Sequence, residues 1–203
     1  MEMILIRHGE TNENAAGRYL GHYDAPLNKL GQQQIQSLAN NLLNTLKKGS
    51  ISALYSSDLL RAKESAQIIG EMLQMKPATD AALRELSFGK WECKTYDEIM
   101  SEAPKLVTNW INDPFKLAPP DGETLNELGY RVHVWFKQVL CQHTPNDTIL
   151  IVSHQGPIRW LLSHYYLGNS TKFWDVEGIK HGSGVLLEFD QQTEKIRSVQ
   201  KIG

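Results

Sequence analysis

Two short apolar runs in this chain each stop at a histidine with a glycine close behind. Ile4-Leu5-Ile6 runs into Arg7-His8-Gly9, and Ile149-Leu150-Ile151-Val152 runs into Ser153-His154-Gln155-Gly156. An imidazole can act as a nucleophile or base, and the planar fork of a guanidinium can hold two oxygens of an oxyanion at once. A third short run, Ala53-Leu54-Tyr55, leads through Ser56-Ser57-Asp58 to Arg61 at the start of an expected helix. Runs of this kind read as buried strands, and open α/β sheets place ligands just past the C-terminal ends of their strands. If the three strands are parallel, two arginines, two histidines and helix N-terminal amides gather at one sheet edge. Such a gathering is a phosphate site on physical grounds. Taken alone, Arg7 and His8 read equally well as polar residues ending a strand.

The elements that must position these residues alternate along the chain. Asn12 to Leu30 is a polar loop, and Ile35, Leu38, Ala39, Leu42, Leu43 and Leu46 then recur at helical spacing, with Gly49 as a stop. Asp58 is expected to cap a helix reaching Leu73. The stretch of about 83–121 is irregular, with short helical pieces and prolines at Pro104 and Pro114. It reads as a cap-like insertion over one face rather than a separate domain. Thr124 and Glu127 match a capping box, ahead of an apolar face made by Leu125, Leu128, Val132, Trp135 and Val139. A helix is expected from Pro157 to about Leu167, with the proline in its first turn. Val185–Phe189 and Lys195–Ile202 read as closing strands. Strand-helix alternation points to a three-layer α/β/α sandwich with a mainly parallel central sheet.

Bulk properties set the bounds. The chain has 203 residues, which fits one domain spanning 1–203, and is 41% hydrophobic and 22% charged. A formal net charge of -2 provides no global field to gather nucleic acid, so any anion site must be local. No apolar run approaches a membrane span, and the N-terminal run is too short for a secretory signal, which together suggest a cytoplasmic protein with no membrane partner. Cys93 and Cys141 lack metal-ligand spacing and read as two reduced thiols.

Four blocks carry a resemblance. Arg7-His8-Gly9-Glu10-Thr11 with Asn14, then Ser56 to Ala66 (SSDLLRAKESA), Arg84 to Glu92 (RELSFGKWE) and Val152 to Gly156 (VSHQG) resemble the motifs of the histidine phosphatase superfamily, whose fold is called phosphoglycerate mutase-like. The blocks stand in that family's order and cover most of the chain. The resemblance implies that His8 is the nucleophile, attacking phosphorus to form a phosphohistidine while a backbone carbonyl holds its other ring nitrogen. It implies that Arg7, Arg61 and His154 grip the phosphoryl oxygens, with Asn14 as a further donor. Glu85 matches the family's proton donor. Gln155 either touches the phosphate or caps the following helix. No metal or organic cofactor is implied, the partner is a small phosphate monoester, and the oligomeric state stays open, a homodimer included.

Bland readings accompany the rest. Glu10 and Asp58 are expected to be structural; Arg18, His22 and Trp91 either line a substrate pocket or simply pack. His133, His143, His164 and His181 are expected at the surface or in the core, and Trp110, Trp135, Trp160 and Trp174 in the core. A metallohydrolase on His8, His154 and Glu85 is the rival mechanism, disfavoured because two arginines would repel a dication and no H-E-x-x-H occurs. A cysteine phosphatase needs an arginine six residues after its cysteine, where Cys93 and Cys141 offer none. A non-catalytic phospho-ligand binder is the alternative from another class, though every expected catalytic position is filled. Within the family, Leu86 to Glu92 is similar to the phosphatase branch rather than to the mutases. The overall length and the tract from Thr148 to Gly156 are similar to α-ribazole-5′-phosphate phosphatases. The alternatives are a broad-specificity, phosphoserine or sugar-phosphate phosphatase.

Overall fold

The computed structural model describes residues 1–45 and 51–203, so Leu46 and Gly49, expected to end the first long helix, lie outside the described residues. The strands are β1 (Glu2–Arg7), β2 (Ile51–Ser57), β3 (Ala78–Asp80), β4 (Thr148–Ser153), β5 (Gly184–Asp190) and β6 (Lys195–Ile202). The helices are α1 (Asn12–Ala15), α2 (Lys29–Thr45), α3 (Leu60–Leu73), α4 (Tyr96–Glu102), α5 (Pro104–Asn112), α6 (Leu125–Leu140) and α7 (Gln155–Tyr165). The strands form one sheet in the order β3-β2-β4-β1-β5-β6. β1, β4, β2 and β3 run parallel, whereas β5 lies antiparallel to β1, and β6 to β5. The sheet is therefore mainly parallel, with an antiparallel edge.

Alternation across the strands divides the core in two. Ile4, Ile6, Leu54, Leu150 and Val152 face one side with Ile35, Leu38, Ala62, Ala66 and Ile69 of α2 and α3. Met3, Leu5, Ile149, Ile151 and Val185 face the other with Leu128, Val132, Phe136 and Ile158 of α6 and α7. Every residue of β4 is buried, which is why its sequence is a continuous apolar run without alternation. Full burial of each such side chain contributes about 1.5–3 kcal/mol, enough to fix the strand register that carries His8 and His154 to the same edge. Just past β1 the backbone passes so close to α2 that a Cβ on Gly9 would lie 2.4 Å from the Gly31 carbonyl oxygen. Only glycine fits there.

Several local expectations need correction. Asp58 does not cap α3: the N-cap is Leu59, which makes no side-chain cap. Its turn is closed instead by Ser57 Oγ, accepting from the Leu59 N–H at 3.3 Å, and by Asp24 Oδ1, accepting from the Leu60 N–H. Asp58 is taken by the Arg84 guanidinium, in two hydrogen bonds of 2.7 and 2.6 Å. The 12–30 stretch is not wholly loop, since it contains α1 and the start of α2. Pro157 is the third residue of α7, still within its first turn. Trp174 is 53% exposed and so is no core residue, whereas Trp110, Trp135 and Trp160 are buried.

The 83–121 stretch holds α4 and α5, started by a Thr95–Glu98 capping box and by Pro104 respectively. The edges of Phe88 and Trp91 meet Trp110, with centroids 5.9 and 5.5 Å apart. Arg131 of α6 staples its base. That guanidinium donates to the carbonyls of Ala82, Arg84 and Glu85 and pairs with Glu123 at 2.7 Å. The backbone around Glu85 is thereby fixed from the core side.

Candidate active site

The parallel register sets the ends of β1 and β4 side by side, and the His8 N–H donates to the Ser153 carbonyl at 3.1 Å. His8 is buried, with Nδ1 2.7 Å from the Gly9 carbonyl oxygen. A carbonyl only accepts, so Nδ1 carries the proton and Nε2 keeps its lone pair. Burial, followed by the nearby charges of Arg61 and Arg7, pushes the His8 pKa well below the ordinary histidine value, which keeps the ring neutral. The His154 ring lies 4.9 Å from that of His8, centroid to centroid. It is 0% exposed, and burial first, then Arg61, lowers its pKa well below normal too.

The cations come from the ends of two elements. Arg7 closes β1, and its Nη1 donates to the Ile179 carbonyl at 2.8 Å and more weakly to Gln155 Oε1 at 3.4 Å. Arg61, in the first turn of α3, is only 1% exposed; it donates to the carbonyls of Tyr23 at 2.8 Å and Gly21 at 2.7 Å. Desolvation lowers its pKa to about 10, against the opposing charges of Glu85, Asp24 and Glu92. Ser65 Oγ links the two segments, accepting from the Gly9 N–H at 3.1 Å and donating to the Arg61 carbonyl at 2.7 Å. Glu85 is held at the N-terminus of α7, accepting from the Gly156 N–H at 3.0 Å and from the Leu86 N–H at 2.8 Å. Its charge opposes the effect of burial on Arg7, Arg61 and Arg159 alike, which places it electrostatically among all three.

What this edge can do follows from its unspent donors. Arg7 Nε, Arg61 Nε and both ring nitrogens of His154 are buried without a hydrogen-bond partner. A buried polar atom left unpaired costs about 1–3 kcal/mol, so a cluster of them marks where a polar ligand belongs. Two guanidinium groups and an imidazole around a neutral imidazole suit a tetrahedral oxyanion.

The structure thus brings Arg7, His8, Arg61, Glu85 and His154 together. Gln155 sits among them; its Oε1 accepts from the Ile179 N–H at 2.9 Å, while its buried Nε2 has no partner and stays open as a donor. Asn14 completes the capping box of α1 through its Oδ1, which accepts from the Thr11 N–H at 3.2 Å and leaves the side-chain NH2 to donate. Arg18 is spent on Glu98 and the Cys93 carbonyl, and Trp91 packs edge-on against Trp110. His22 donates from Nε2 to the Glu85 carbonyl at 2.9 Å, touching the site through backbone alone.

Two residues at the site escape sequence reasoning. His181 stands in the loop before β5 with its ring centroid 5.4 Å from that of His8, its Nε2 buried and unpartnered. Burial and then Arg7 and Arg61 lower its pKa to about 3. No apolar run ends at His181, so nothing in the pattern flags it. Arg159 shares a face of α7 with Gln155, four residues earlier, and that spacing is the signal that could have found it. Among the described residues, no group of three or more His, Cys, Asp or Glu is arranged to hold a metal ion, and no helix is long and apolar enough to cross a membrane.

Comparison with known proteins bears on this geometry. The family model described as the histidine phosphatase superfamily (branch 1) matches residues 3–201. The adenosylcobalamin/alpha-ribazole phosphatase of Escherichia coli is 30% identical over 199 residues, covering 97% of this chain and 94% of that protein. Phosphoserine phosphatase 1 of Hydrogenobacter thermophilus is 29% identical over 174 residues, covering 86% and 80%. The solved alpha-ribazole phosphatase of Shigella flexneri superposes with a TM-score of 0.85 at 28% identity, covering 100% of this chain and 96% of that one.

Proposed function

This chain belongs to the histidine phosphatase superfamily, branch 1, and is a phosphatase; we propose that it hydrolyses α-ribazole 5′-phosphate through a phosphohistidine on His8. The observation that carries the mechanism is a neutral, buried His8, its Nδ1 hydrogen held by the Gly9 carbonyl, beside unpartnered N–H groups of Arg7, Arg61 and His154. In the first step Nε2 of His8 attacks phosphorus and a P–N bond forms. The ester P–O bond breaks, and Glu85, as general acid, delivers a proton to the departing alkoxide. In the second step Glu85 takes a proton from water as that oxygen attacks phosphorus. The P–N bond breaks, releasing inorganic phosphate and regenerating neutral His8.

Arg7, Arg61 and His154 donate to the three oxygens over which charge spreads in each transition state, fixed in place beforehand by the carbonyls of Ile179, Gly21 and Tyr23 for the arginines. Gln155 and Asn14 flank this cluster as further binding residues, and the 83–121 stretch caps the site as part of one domain over 1–203. The substrate is favoured by the α-ribazole phosphatase relatives, which match nearly the whole chain. Turnover of α-ribazole 5′-phosphate, phosphoserine and 3-phosphoglycerate, with and without EDTA, tests the reading. The expected result is a kcat/KM for the ribazole ester well above the others and indifferent to EDTA. Comparable values across the panel would remove the assigned substrate, and loss of activity in EDTA the metal-free mechanism.

A further inference from the structure

Beside the oxyanion cluster lies a cavity of about 500 Å³ that shares Glu85, Gln155 and Gly156 with it. Apart from those three and Arg159, every side chain lining it is aromatic or aliphatic. Phe88 and Trp110 form a wall, their rings meeting edge to face, with Tyr19 against Phe88 at 4.8 Å. Phe173 and Trp174 lie perpendicular to one another, 4.9 Å apart, and the Arg159 guanidinium sits over both, at 5.8 and 5.3 Å from the ring centres. Trp174 is 53% exposed and Ile111, lining the same cavity, 47%. Two large apolar side chains held in water at one cavity are what an apolar ligand would cover.

We propose that this cavity is the leaving-group site, and that it selects phosphate monoesters whose alcohol carries a planar aromatic ring, with Trp174 and Arg159 as specificity-determining residues. The inference rests on the oxyanion cluster described above as the phosphoryl site, since Glu85 then stands between the bound phosphoryl group and the cavity. A ring entering here exchanges water for aromatic walls, and the planar guanidinium already laid on Trp174 and Phe173 extends the surface available for stacking. A small alcohol bearing a carboxylate, such as serine or glycerate, would meet one cation, Arg159, opposed by the Glu85 carboxylate, and apart from Gln155 would lose hydration against apolar walls.

The test compares kcat/KM for 2-phenylethyl phosphate and ethyl phosphate, esters of alkyl alcohols with similar leaving-group basicity. Burying one ring predicts a preference of about 10–100-fold for the phenylethyl ester, expressed mainly in KM. Trp174→Ala is expected to cut that preference about tenfold and Arg159→Gln several-fold, by the same area and stacking arguments. Thermal melts confirm that each variant is folded. Equal kcat/KM for the two esters in the unaltered protein overturns the proposal, as does a Trp174→Ala variant that slows both esters alike. Phosphoserine preferred over the phenylethyl ester, and lost in Arg159→Gln, would overturn it in favour of a carboxylate subsite. The preference is a ratio, so it can stand or fall separately from the nucleophile, which His8→Ala tests, and from the ribazole assignment, which the substrate panel tests.

Discussion

The two ends of β4 carry histidines in opposite circumstances. Five residues before the strand begins, His143 has both ring nitrogens engaged: Nε2 with the Tyr55 hydroxyl at 2.8 Å and Nδ1 with Asp147 at 3.3 Å. Asp147 also accepts from the Thr144 N–H at 2.7 Å and the Ser52 hydroxyl at 2.9 Å. At the other end, one residue past the strand, His154 is fully buried with neither nitrogen bonded. Its neighbours Arg7 and Arg61 each keep an unpartnered Nε, and His181 an unpartnered Nε2. The contrast separates polar side chains that hold the fold from polar side chains that the fold holds ready for a ligand. Satisfied groups contribute stability directly; unsatisfied ones cost stability that a bound oxyanion returns.

Breaking the site end should therefore destroy activity, and breaking the other end should lower stability alone. Arg61→Lys keeps the charge but loses the fork, and kcat/KM should fall by about 10²–10³, as on removal of an oxyanion donor. The pH dependence of stability comes next. His8, His154 and His181 all have folded pKa values below the ordinary histidine value. The unfolded chain therefore takes up protons near pH 6.5 that the folded chain refuses. Their stabilising contribution is complete above about pH 6.5 and is lost as pH falls toward 3, by about 1.4 kcal/mol per pH unit for each histidine that the folded chain keeps neutral, readable in urea titrations. Inorganic phosphate should raise the melting temperature at neutral pH, which would locate the effect at the site end.

His181→Leu removes one open donor and should lower kcat/KM about tenfold, with phosphate inhibition weakened by a similar factor. The smallest effect is expected at the far end. Tyr55→Phe deletes the hydrogen bond to His143 and should cost about 1 kcal/mol of unfolding free energy while kcat/KM stays within about twofold. A large loss of activity there would break the comparison.

The sequence makes the site more legible than its surroundings, for a physical reason. β1 and β4 are buried on both faces, so each reads as an apolar run whose end is sharply marked by Arg7-His8 and by His154. The Thr124–Glu127 capping box is likewise local chemistry and is found where expected. Asp58 misleads because the side chain that answers the start of α3 is Asp24, thirty-six residues upstream, a contact only tertiary structure makes. Trp174 misleads because a large apolar side chain reads as core by default, whereas here it stands at the rim of a cavity. His181 is silent because a loop, rather than a strand end, delivers it. Glu85 is visible only through the resemblance of its block, since nothing in its own neighbourhood distinguishes it from a surface carboxylate.

On the proposed mechanism, Nε2 of His8 accepts the phosphoryl group from the ester. Rapid alkaline quenching of the enzyme during turnover, followed by peptide mass spectrometry, tests it most directly, because phosphohistidine survives base and is lost in acid. The account predicts one phosphoryl group on His8 during turnover, and neither adduct nor activity in His8→Ala. Turnover by His8→Ala, or a phosphoryl group found on any other residue, would contradict it.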